Sequence, residues 1–200
     1  MSDRFDTSQF VLEASPDGSS RVLASAGATA TESDVTTDSG TATAHAPADV
    51  PAAVPPTELA ERTSRINALV TASRLDEAYA LATELRETLT DAAGADDPHA
   101  LEARALEAYI AHQYGDHREA IVLALGVARI RCSAEDRQAP EDVVRAAAAW
   151  QRLDDDRAIV AHGRELLHMW DRLDHRGLLP PAHAELVGRV RRRVDKLDAS

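Results

Sequence analysis

Three stretches of this chain open a helix with nearly the same phrase. They read Arg74-Leu75-Asp76-Glu77-Ala78-Tyr79, Gly115-Asp116-His117-Arg118-Glu119-Ala120-Ile121 and Leu153-Asp154-Asp155-Asp156-Arg157-Ala158-Ile159. In each, acidic residues stand at a helix start and an alanine follows one turn in. Ala78, Ala120 and Ala158 are 42 and 38 residues apart. A period in that range marks an array of helical hairpins, because one hairpin cannot bury its apolar face alone and must stack on a neighbour. The recurring alanine has a packing reason. Antiparallel helices joined by a tight turn approach closely only where one side chain is small, and successive hairpins then cover each other's remaining apolar surface.

The residues between the phrases keep the helical period. Leu59, Ile66, Leu69 and Val70 share one face of a first helix that runs to about Ala72, and Asp76 is expected to cap a second with Ala78, Leu81, Ala82, Leu85 and Leu89 inside. Leu101, Ala105, Leu106, Ala108 and Ala111 mark a third helix, ended by Gly115. Asp116 and Glu119 then predict a capping box, each side chain satisfying an orphan amide. The next hairpin pairs Val143, Val144, Ala146, Ala147 and Trp150 with Ile159, Gly163, Leu166, Leu167, Trp170 and Leu173. Pro180 and Pro181 open a last helix, with Leu186, Val187, Val190, Val194 and Leu197 on its apolar side. No stretch alternates apolar and polar residues as a half-buried strand would. The expectation is an all-α chain of about three hairpins over residues 57–179, closed by a basic amphipathic capping helix over 180–200.

Residues 1–56 read differently. This segment is rich in Ser, Thr, Ala and Pro, carries eight acidic residues against Arg4 and Arg21, and shows no sustained period. Such a composition buries too little apolar surface to offset an ordering entropy of about 1–2 kcal/mol per residue, so a disordered acidic tail is expected. The net charge of −12 argues against broad binding to nucleic acid or an anionic membrane. Cys132 is alone, which excludes an intrachain disulfide and a cysteine zinc site. Without a signal-peptide pattern or a long apolar run, no membrane span is expected and a cytoplasmic location follows by default.

The phrase Gly115-Asp116-x-x-Glu119-Ala120-Ile121 resembles the turn and second helix of the tetratricopeptide repeat, and Arg74-Leu75-Asp76-Glu77-Ala78 is a variant of it. The spacing is similar to the longer repeats of kinesin light chains and their bacterial relatives, and Asp96-Asp97-Pro98-His99-Ala100-Leu101 is similar to their linker between repeats. Members of that family bind extended peptides or helices in a groove lined by the first helix of each hairpin. The resemblance therefore implies an adaptor or regulatory scaffold rather than an enzyme, without a cofactor. It implies a partner-binding groove formed by Asn67, Tyr109, His112, Gln113, Trp150 and Gln151. An Asn can pair with a peptide backbone as donor and acceptor, and Tyr and Trp offer flat contact area.

Other patterns carry less. Glu165-x-x-His168 with His162 a turn earlier lacks the matching carboxylates a di-iron bundle needs, so no metal is expected. No nucleophile elbow, phosphate loop or dinucleotide fingerprint occurs, and no catalytic residue is assigned. Phe5 and Phe10, with Val11 and Leu12 following, form a candidate recognition segment in an otherwise polar tail. Arg189, Arg192 and Arg193 form a candidate contact for an acidic partner, which gives the alternative expectation: a regulator touching an acidic protein or nucleic acid through its last helix. The exposed ends of such a stack are also compatible with a homodimer.

Overall fold

The computed structural model describes residues 54–199. Among them the chain is all-helical: α1 (Pro56–Thr71), α2 (Leu75–Ala93), α3 (Pro98–Tyr114), α4 (His117–Ser133), α5 (Ala139–Trp150), α6 (Asp156–His175), a 3₁₀ turn (Pro181–His183) and α7 (Ala184–Asp198). Loops of two to five residues join α1 through α6. Connections that short leave each helix antiparallel to the one before it. Each helix packs on its neighbours in the chain, and α4 also packs on α6. All seven helices belong to one compact unit, so α7 is part of the same body as the hairpins.

The helix ends explain the repeated phrases. At the close of α3 the Asp116 amide donates to the Ala111 carbonyl at 2.9 Å and the Gly115 amide to His112 at 3.3 Å, with Gly115 at φ 95. This is a Schellman closure, which needs a left-handed residue after the helix. The same pair of bonds ends α1 around Ser73, and α6 around Gly177. Glycine reaches that conformation freely, whereas Ser73 (φ 59) holds it against the steric cost of its Cβ.

The start of each second helix departs from expectation in two places. Asp76 lies inside α2 and does not cap it; Arg74 stands at that position without a side-chain cap bond, its guanidinium paired to Glu77. The capping box is half made. Asp116 accepts from the Glu119 amide at 3.1 Å, but the Asp116 amide is already taken by Ala111, so Glu119 has nothing to return. The third phrase is capped as read, Asp155 accepting from Ala158 at 2.7 Å.

Two apolar clusters form the interior. One joins Ile66, Ala78, Ala82, Leu85, Leu89, Ala100, Ala103 and Ile110, and the other runs from Ala108 and Ala111 on α3 to Val190 and Val194 on α7. Helix α3 thus has one face for α2 and another for α4, which is why its alanines surround it. Ala78 and Ala120 are fully buried, as close approach demands, while at the third start Ala158 is half-buried and Ile159 takes the inner place. No helix among the described residues is long and apolar enough to cross a membrane.

Candidate functional site

Because the helices alternate in direction, the turns α1–α2, α3–α4 and α5–α6 lie at one end of the bundle. The residues expected in a groove gather mostly there, in unequal states. His112 and Gln113 are half-buried in the last turn of α3, Gln151 is half-buried just after α5, and Asn67 is exposed on α1. Tyr109 is half-buried against the α1–α3 cluster.

Trp150 does not line a groove. It is 1 % exposed, and its indole N–H donates to the Ile159 carbonyl at 2.7 Å. The reason lies across the helix pair: Gly163 on α6 has no side chain, and a Cβ there would sit 3.1 Å from the indole and overlap Val194. The glycine makes the space that the tryptophan fills. Arg193 is half-buried and held within the chain. Its guanidinium lies 4.9 Å from the Trp150 ring and donates to the carbonyls of Gln151 (3.2 Å) and Leu153 (2.8 Å). Arg189 and Arg192 remain on the exposed side of α7. Phe5, Phe10, Val11 and Leu12 lie outside the described residues.

Two features at this end were not legible beforehand. Tyr114, in the last turn of α3, is 55 % exposed, and its ring stacks on Tyr79 of α2 with centroids 6.1 Å apart and planes within 3°. Burial pushes the Tyr79 phenol up, and the carboxylates of Glu107, Glu119 and Asp116 add to this, so Tyr79 stays neutral at physiological pH. Beside it, His112 and His117 meet across the turn with ring centroids 5.1 Å apart, and the Nδ1 atom of each is buried without a hydrogen-bond partner. The repeated phrases contained Tyr79 and His117. Nothing in the period, however, tells whether a residue in a final turn faces out or in.

The opposite end holds a cleft of about 460 Å³ between the start of α3, the end of α4 and the α4–α5 loop. Asp96, Glu102, Asp136 and Arg131 give it polar walls, while Leu101 and Ile130 give it apolar ones. Arg131 is 5 % exposed and would suit an anion if it were available. It is not: Asp142 receives Nη1 at 2.9 Å, Glu102 receives Nη2, and Asp136 lies 3.9 Å from Nε. Asp142 is itself 2 % exposed and also accepts from Arg145 at 2.6 Å; its burial raises the carboxyl above the usual range despite both guanidiniums. Charges this deep persist only when paired, so the cluster is a strut tying α3, α4 and α5. A second strut ties α2 to α3: Glu107, 1 % exposed, accepts from Thr83 at 2.6 Å and from Arg86.

His162 and Cys132 fall into structural places. His162 faces Glu165 at 4.0 Å, and Glu165 also accepts from Arg129 at 2.6 Å. Among the described residues no group of three or more His, Cys, Asp or Glu is arranged to hold a metal ion. Cys132 is buried, and burial pushes its thiol up, which keeps it protonated and unreactive. Comparison with family models, with curated proteins and with solved structures found no match to this chain.

Proposed function

We propose that the helices form a tetratricopeptide-like stack of hairpins whose work is to hold a segment of a partner protein, by binding rather than catalysis. The repeated turns, the short antiparallel connections and the packing of α4 on α6 support the stacked reading. The observation that carries the binding reading is the Tyr79–Tyr114 pair. A tyrosine 55 % exposed and held flat on a second ring is a preformed aromatic contact surface, and it enters a complex with little rotamer entropy left to lose. Gln113 precedes it in the chain and offers an amide for backbone pairing.

The test is a selection of displayed peptides on the full chain at pH 7.5, followed by affinity measurement of the enriched sequences against wild type and Tyr114→Ser. Removing a central aromatic anchor costs about 2 kcal/mol or more, or about thirtyfold in Kd. The helical circular dichroism of the variant should be unchanged, because the Tyr114 ring is mostly in solvent. Binders that ignore the substitution would overturn the assignment of this surface.

A further inference from the structure

The turn that carries Tyr114 also carries an unusual contact. His112, two residues before Tyr114, meets His117, three residues after it, with ring centroids 5.1 Å apart and planes tilted by 53°. Each buries an Nδ1 atom that finds no partner. A neutral imidazole can leave one nitrogen as a buried lone pair. A protonated one must place an N–H there, shielded from solvent and with no protein acceptor to receive it. The surroundings add to this penalty. Burial pushes His112 down from its ordinary range, and the charges of His117 and of Arg152, in the turn after α5, push it further.

The charged groups on the neighbouring elements do not compensate. Asp116 and Glu119 at the start of α4 raise the Tyr79 phenol, and neither is among the groups that act on His112. Arg118 is directed at Asp155, 3.9 Å away. Arg193 of α7 is directed at the Gln151 and Leu153 carbonyls. His112 therefore faces another imidazole and a guanidinium, a surrounding that tolerates it only without charge.

We propose that the His112–His117 contact, backed by Arg152, is an acid-sensitive latch on the α3–α4 turn, which opens on protonation and dismantles the Tyr79–Tyr114 surface. Near neutral pH, with His112 uncharged, the two rings pack and hold the last turn of α3 against the first turn of α4. Uptake of a proton sets like charges against each other in a half-buried contact, and the cheapest relief is to expose the turn to water. The stacked tyrosines flank that turn, so the docking surface is lost with it. This regulation rests on the binding reading above; the latch itself belongs to the chain alone and is measured without a partner.

The experiment is amide hydrogen exchange on the full chain at pH 7.5 and 5.5. Each rate is divided by the unfolded-chain rate at the same pH, for wild type, His112→Gln and His117→Gln. In wild type the protection of residues 112–120 falls by about tenfold on acidification, while α5 and α6 keep theirs. His112→Gln removes that pH step, since its side chain no longer titrates, and His117→Gln, which takes away only one of the groups acting on His112, makes it smaller; two variants guard against one that fails to fold. A wild-type turn equally protected at both pH values, or a step that survives in both variants, overturns the latch. The Tyr114→Ser comparison at pH 7.5 stands apart from this: an overturned latch leaves the docking assignment standing, and an overturned docking assignment leaves the latch standing.

Discussion

Among the described glycines, Gly163 leaves the least room for a Cβ, and a single methyl group there decides the sign of the effect. In an open helix Gly163→Ala would stabilise the chain by about 1 kcal/mol, the difference in helix propensity. Here the added Cβ overlaps a γ-methyl of Val194 and stands 3.1 Å from the Trp150 indole. Trp150 cannot retreat, because its N–H is held at 2.7 Å by Ile159 and Arg193 covers its face. The relief must come from α7, whose Val190 and Val194 are both fully buried. Overpacking of this kind costs about 1–3 kcal/mol, and losing α7 altogether would forfeit about 1.5–3 kcal/mol for each valine. Subtracting the propensity gain leaves a net loss of about 0–2 kcal/mol, or up to about 8 °C in Tm for a domain of this size. Urea unfolding followed by circular dichroism measures it. Val194→Ala alone costs about 2 kcal/mol through the cavity it leaves. The double variant should be less destabilised than the sum of the singles by about 1 kcal/mol, because the overlap is gone. A Gly163→Ala chain more stable than wild type, or a strictly additive cycle, would refute the idea that this glycine admits Trp150 and α7.

Further measurements address the turns, the struts and the histidines. Ser73→Gly should stabilise the chain by about 0.5–1 kcal/mol in the same urea assay, since glycine adopts the left-handed closure of α1 without strain. Arg131→Met should destabilise by about 3 kcal/mol, at the low end of the range for breaking a buried ion pair because Asp142 keeps Arg145; a loss under about 1 kcal/mol would show that the cluster is not a strut. For His112 the sign follows from its downward shift: the unfolded chain takes up protons more readily than the folded one below the ordinary value of 6.5. Stability therefore drops as pH falls from about 6.5 toward the folded value. The His112→Gln chain should lose less between pH 7 and 5.5, as read from urea midpoints.

The helices and their order were written in the chain. The period of leucines and alanines, the glycines at 115 and 177 and the acidic phrases specify seven helices and most of their ends, because these are local matters of backbone conformation and amphipathic spacing. Even local chemistry had limits. The Asp116 capping box fails to close because a Schellman bond from the preceding helix takes the Asp116 amide first. What the sequence could not decide was which side chains end in the interior. Trp150 and Arg193 carry groups that suit a partner equally well, and only the approach of α6 and α7, set by a glycine and two valines, draws them inward. Tyr114 and the His112–His117 contact were equally hidden. A residue in a final helical turn is exposed or buried according to where the next helix lies, and that depends on helix–helix packing across the whole body, not on any neighbour in the chain.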